Sequence, residues 1–328
     1  MRLRVGAGRV GLAALAALCL AAFAGATAEA QSERYPPTPT DFDDEAEQRS
    51  SLWERVLTPD RDGYQHNLSE ARSLANNRDD SSVDRAARLV AAAVDLDPDN
   101  PRAHWILGQL ERRREQWSQC ARALDRVFAL EPAFQPEASD RLFAEVSTRK
   151  VSGRGTDAYW EWALDYDLAL CLARAGQYES AIVHYKRILG RGVTDQAAVY
   201  LGLGEAYMAL GRLGEAIAKL RTAERHKTSH IRLHYSLAVA YDRDEQGAQA
   251  RAHLVKALAS DRNLSRLRAP SAIFTPPADQ YYYLGLAHAS NGDSEWAIVY
   301  FRRYLHESPN SPWLGRVRQH LGDLLGEA

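Results

Sequence analysis

The stretch "YLGLGEAYMALGRLGEAIAKL", Tyr200–Leu220, carries glycine at 202, 204, 211 and 214. Each glycine in a helix interior costs roughly 1 kcal/mol relative to alanine, so four of them would ordinarily argue against a helix. The residues around them nevertheless recur at three and four positions, the period of a buried helix face. A helical hairpin reconciles the two signals. Gly204 reads as a close approach between two helices, Gly211 as the turn joining them, and Gly214 as the opening of the second helix beside Glu215. Gly202 has no place in that scheme.

The same arrangement returns along the chain. "ARAGQYESAIVHYKRIL" and "ASNGDSEWAIVYFRRYL" align with "MALGRLGEAIAKLRTA", and "EQGAQARAHLVKAL" is a fainter copy, which puts Ala181, Ala216, Ala250 and Ala297 in register. Pro98 and Pro132, each ending a helical run, stand 34 residues apart. A recurrence of this length is the mark of a repeat architecture, in which helix pairs stack and share one continuous core. Small residues at Gly108, Ala169, Gly204, Ala238 and Gly285 on first helices face the alanines of second helices, with Tyr185, Tyr207, Tyr241 and Phe301 filling between.

"YLGLGEAY" (Tyr200–Tyr207) and "YYLGLAH" (Tyr282–His288) resemble the first half of the tetratricopeptide repeat, whose pattern is W-x2-L-G-x2-Y, then A-x3-F and a late proline. The resemblance implies an all-α, right-handed α-solenoid of helix hairpins with a C-terminal capping helix. It is of an exported bacterial type, for the reasons that follow. Repeats are expected at 67–100 and 101–134 (within an N-terminal helical part, 51–134), then 162–195, 197–230, 231–264 and 278–311. An insertion at 135–161 holds an expected extra helix, "SDRLFAEVSTRK". A proline-rich insertion spans 265–277, and 312–328 reads as the cap, with Trp313, Val317, Leu321 and Leu324 on one stripe.

The chain's 328 residues carry a net charge of −2, which offers nothing to attract nucleic acid. Lysine occurs only at 150, 186, 219, 227 and 256, an arginine-heavy balance suggesting a GC-rich bacterial genome. Residues 1–30 start with Arg2, Arg4 and Arg9, continue as "VGLAALAALCLAAFAGA" and end in small residues. That is the plan of a secretory signal peptide, with cleavage after Ala30 preferred over Ala28. An uncleaved anchor is the rival reading. Lipidation is disfavoured because Leu18 precedes Cys19. Residues 31–50, rich in proline and acid, read as a flexible tether. The expected location is therefore exported and periplasmic, reaching the membrane only through partners. Beyond the leader the cysteines are Cys120 and Cys171. Cys120 occupies a small-residue packing site; export permits a disulfide, but the insertion between the two leaves their distance open.

No catalytic signature is present: the chain lacks G-x-S-x-G, G-x-x-x-x-G-K-[ST] and H-E-x-x-H. "VGAGRVG" echoes a dinucleotide fingerprint but lies in the leader and follows no strand. His226 and His230 have the i, i+4 spacing of helix-borne metal ligands, with no third ligand evident, so neither metal nor cofactor is assigned.

Tetratricopeptide arrays line a groove with their first helices, through the second, fifth, ninth, twelfth and thirteenth positions. The resemblance puts Trp105, Tyr166, Leu201, Tyr235 and Tyr282 at the fifth positions. It accompanies them with Arg102, Gln109, Arg112, Arg113, Arg174, Glu205, Arg232, Asp242 and Arg243. Aromatics among arginines suit a peptide-binding face, the competing reading being packing within the array. The chaperone-type carboxylate clamp is absent, since Trp105 and Gln109 stand where its lysine and asparagine would be. These features predict a non-enzymatic scaffold of the cell envelope. It would bind a partner protein's segment and help assemble a machine for secretion, polymer export, wall synthesis or motility. The alternative is a glycan- or peptidoglycan-binding protein that stacks sugars on the same aromatics.

Overall fold

The structure is a computed structural model and describes residues 61–77, 79–142, 162–192, 196–226, 231–269, 272 and 274–326. The leader, the tether, His230, Ile273 and most of the helix expected after Ser139 lie outside the described residues. Among the described residues every regular element is helical.

Consecutive helices pair as hairpins: α1 (Arg61–Ala75) with α2 (Asp80–Leu96), α3 (Pro101–Arg113) with α4 (Trp117–Leu130), and α5 (Ala163–Arg174) with α6 (Tyr178–Gly190). Then come α7 (Gln196–Ala209) with α8 (Leu213–His226), α9 (Ile231–Arg243) with α10 (Gly247–Ser260), and α12 (Asp279–Ser290) with α13 (Ser294–Glu307). A 3-10 turn, Ala138–Asp140, follows the second hairpin. A single-turn helix, α11 (Ser265–Arg268), follows the fifth, and α14 (Leu314–Leu325) packs on α13 at the end. The result is an α-solenoid of helical hairpins.

Local chemistry explains the boundaries. Asp79 caps α2 by accepting from the Ser82 amide at 2.8 Å, and Asn100 caps α3 ahead of Pro101, whose missing N–H is no loss in a first turn. In five of the six hairpins the turn places one residue in the left-handed region: Glu115, Gly176, Gly211, Glu245 and Gly292, with φ between 57° and 84°. Gly211 is thus the turn that the sequence reading made it. Gly204 is the close approach: a Cβ there would lie 2.6 Å from Leu220 Cγ on the partner helix. Gly108 against Leu124 and Gly285 against Phe301 repeat the arrangement. Gly202, unassigned from sequence, makes room for a neighbouring hairpin, since a Cβ would lie 2.6 Å from the Tyr185 ring.

Ala181, Ala216, Ala250 and Ala297 are buried where second helices meet first helices, in one core running through all six hairpins. Cys120 on α4 and Cys171 on α5 form a disulfide, with their Cα atoms 5.8 Å apart. The bond ties the second hairpin to the third. The final helix buries Val317 and rests its apolar side on the sixth hairpin. Among the described residues no helix is long and apolar enough to cross a membrane.

Candidate functional site

The first helices of successive hairpins are joined by ion pairs whose carboxylates are buried. Arg112 on α3 donates to Asp167 on α5 at 2.6 Å. Arg232 on α9 is bidentate to Glu205 on α7, with Ser236 donating to the same carboxylate at 3.0 Å. Arg243 on α9 is bidentate to Asp279 on α12 at 2.9 and 3.1 Å. Asp242 accepts from Tyr282, Arg316 and His320 at 2.6–2.8 Å, which fastens α14 to the array. Burial alone would raise the Asp242 carboxyl. Those three hydrogen bonds reverse the effect and hold it at about 2.

The expected groove residues therefore do not form an exposed aromatic face. Trp105, Tyr235 and Tyr282 are at most 1% exposed. Trp105 Nε1 and Gln109 Nε2 both donate to the Asp140 carbonyl, at 3.0 and 2.8 Å, and hold the 3-10 turn against α3. Arg102 joins Asp140 and Glu137 in the same segment. Tyr235 donates to Asp261, Tyr282 donates to Asp242, and Leu201 is buried in the core. Tyr166 is half-buried with edge contacts to Trp162 and Tyr185, and burial pushes its phenol up to about 12. The physical reason is hydrogen-bond satisfaction. A buried donor without a partner costs roughly 1–3 kcal/mol, and the chain's own segments supply the partners. Trp105, Tyr235 and Tyr282, covered in this way, present no open ring face for a sugar to stack on.

Arg174 differs from its neighbours. It donates to the Phe274 carbonyl and lies over the Trp117 ring at 4.6 Å, yet meets no carboxylate among the described residues. Burial pushes its guanidinium below the usual value. Phe274 comes from the proline-rich insertion, which thus runs across the first-helix side, with Arg232 over its ring at 5.7 Å and Tyr283 at its edge.

A cavity of about 350 Å³ opens beside that insertion. Tyr178 and Ala209 line it from the third and fourth hairpins. Pro276, Asp279, Tyr304, Glu307 and the 308–313 turn, including Trp313, line it from the sixth hairpin and the approach to α14. Sequence reasoning missed it because its walls come from three separate repeats together with Pro276, Pro312 and Trp313, which lie outside them, so no single repeat carries its signature. Of the two histidines at helical spacing, to which no metal is assigned, His226 stacks on Tyr200 with ring centroids 5.6 Å apart, and His230 lies outside the described residues. One group of metal-ligating side chains does converge, Glu224, His234 and His253, from three helices.

A profile of the tetratricopeptide repeat family matches residues 68–127 and 166–230, which cover the fourth hairpin and most of the first three. These are tetratricopeptide repeats. None of the curated proteins matches the chain. Among solved structures, MamA of Desulfovibrio magneticus RS-1 is similar to this tetratricopeptide array at 16% identity, covering 62% of this chain and 97% of MamA, with a TM-score of 0.48. PilW, titled a widely conserved type IV pilus biogenesis factor, aligns at 14% identity over 80% of this chain and 98% of its own, TM-score 0.46. PilF of Pseudomonas aeruginosa aligns at 11% identity over 81% and 100%, TM-score 0.46. The repeats, rather than these low-scoring neighbours, carry the assignment.

Proposed function

We propose that the chain is a non-enzymatic interaction scaffold of the bacterial cell envelope that receives a short segment of a partner protein and so helps assemble a multiprotein machine. The observation that carries this reading is the cavity of about 350 Å³, whose lining brings together residues of the third, fourth and sixth hairpins. Three aromatic rings, Tyr178, Tyr304 and Trp313, face it together with Pro276, Pro309 and Pro312, a lining suited to apolar or proline side chains of an extended segment. Tetratricopeptide arrays are interaction modules by construction, because stacked helix pairs build extended binding surfaces. The disulfide between Cys120 and Cys171 supports export, since such bonds persist in oxidising compartments, and the leader-like residues 1–30 agree with it.

The test is site-specific photo-crosslinking in the native host from positions 178 and 313, followed by identification of the adduct. An envelope protein captured from both positions is expected. Tyr178→Ala and Ala209→Arg, the latter filling the cavity mouth, should abolish capture while circular dichroism stays that of the parent. Capture that survives both substitutions removes the cavity from the reading.

A further inference from the structure

We infer that Glu224, His234 and His253 form a binding site for a divalent transition metal of the zinc class, which clips the fourth hairpin to the fifth. The inference goes beyond the scaffold reading and rests on different residues. Glu224 lies in the last turn of α8, His234 on α9 and His253 on α10, so the donors come from three helices of two adjacent repeats.

The geometry is that of ligands arranged around a point. His234 Nδ1 and His253 Nδ1 are 3.4 Å apart, and Glu224 Oε1 is 3.7 Å from the first and 4.0 Å from the second. A triangle with those sides has a point about 2.15 Å from every corner. Zinc binds imidazole nitrogen at about 2.0–2.1 Å and carboxylate oxygen at about 2.0–2.2 Å. As a set of hydrogen bonds the same arrangement is poor. The carboxylate is too far from either nitrogen, and the two imidazoles turn the same nitrogen toward each other at a long distance. A cation between the three atoms can take a lone pair from each.

The surroundings hold the donors in place. Both imidazoles are buried, and the Tyr241 ring stacks on His253 with centroids 5.5 Å apart. Glu224 keeps 24% of its side chain exposed, which leaves an entry path for the ion. Two imidazoles with one carboxylate suit zinc, cobalt, nickel or copper and disfavour magnesium and calcium, which take oxygen ligands. One group opposes the metal: Lys256 Nζ lies 3.4 Å from Glu224 Oε1 and competes for it.

The test uses the full, untagged, disulfide-bonded chain titrated with Zn²⁺ by calorimetry and with Co²⁺ by visible absorption. With Cys120 and Cys171 bonded to each other and Cys19 replaced by serine, a cobalt spectrum reports nitrogen and oxygen ligands. One equivalent of metal should bind and raise the melting temperature, because a ligand of the folded state stabilises it by mass action. His234→Ala and His253→Ala should each weaken binding at least about tenfold. Both imidazoles are buried, so Glu224→Gln and Lys256→Ala serve as variants that leave the core intact. The first should weaken binding, and the second should tighten it several-fold by removing the competing ammonium. His226→Ala should change nothing. Absence of stoichiometric binding overturns the inference, as does affinity indifferent to Glu224→Gln and Lys256→Ala.

Discussion

At the turn between the two helices of a hairpin, one backbone conformation recurs with two residue types. Gly176, Gly211 and Gly292 hold φ of 84°, 76° and 82°, while Glu115 and Glu245 hold 57° and 58° in the equivalent places. A side chain in the left-handed region costs roughly 1–2 kcal/mol, partly offset by the greater freedom that glycine adds to the unfolded chain. Glu245→Gly should therefore stabilise the protein by about 0.5–1 kcal/mol, read as a higher urea midpoint at unchanged slope. The close-approach glycine behaves oppositely. Gly204→Ala would push a methyl to within 2.6 Å of Leu220 Cγ, so about 1–3 kcal/mol should be lost by overpacking.

Among the elements, α14 depends on one carboxylate. Asp242 is buried and accepts from Arg316 and His320 on α14 and from Tyr282 on α12. Its native value of about 2 lies below the ordinary carboxylate value. The ionised form is therefore favoured by folding, and its contribution is complete above about pH 4 and disappears as pH falls toward 2. The shift corresponds to about 2–3 kcal/mol at neutral pH. Asp242→Asn should remove that contribution and flatten the acid limb between pH 4 and 2. Amide exchange should then rise first in Leu314–Leu325. Uniform exchange with no preference for that helix would contradict the assigned role.

For the whole molecule, the Cys120–Cys171 bond spans 51 residues of sequence and joins the second hairpin to the third. Closing a loop of that size stabilises by about 4 kcal/mol on the chain-entropy account, with measured bonds commonly giving about 2–4. Replacing both cysteines with serine should lower unfolding free energy by that order. Nearest-neighbour coupling in a repeat array predicts separation of the first two hairpins' transition from the rest, seen as a second step in denaturant titration. A single coincident transition with unchanged midpoint would show that packing alone holds that junction.

The sequence by itself determined the helical hairpins, because in a repeat the contacting residues sit at fixed short offsets. Gly204 and Gly211 could be given roles from spacing alone, and the structure bears both out. Spacing could not decide what the first-helix faces do. Trp105 and Gln109 bond a carbonyl more than thirty residues away, in a segment that does not repeat, and Tyr282 reaches back forty residues to Asp242. An aromatic at a groove position reads the same in sequence whether it faces a partner or the chain's own insertion. Gly202 was unexplained for a similar reason, since its neighbour Tyr185 belongs to another hairpin. Glu224, His234 and His253 carry no motif, because their convergence depends on how α8, α9 and α10 stack. Local periodicity fixed the elements; tertiary packing, much of it by non-repeating segments, decided which side chains meet and which polar groups are satisfied internally.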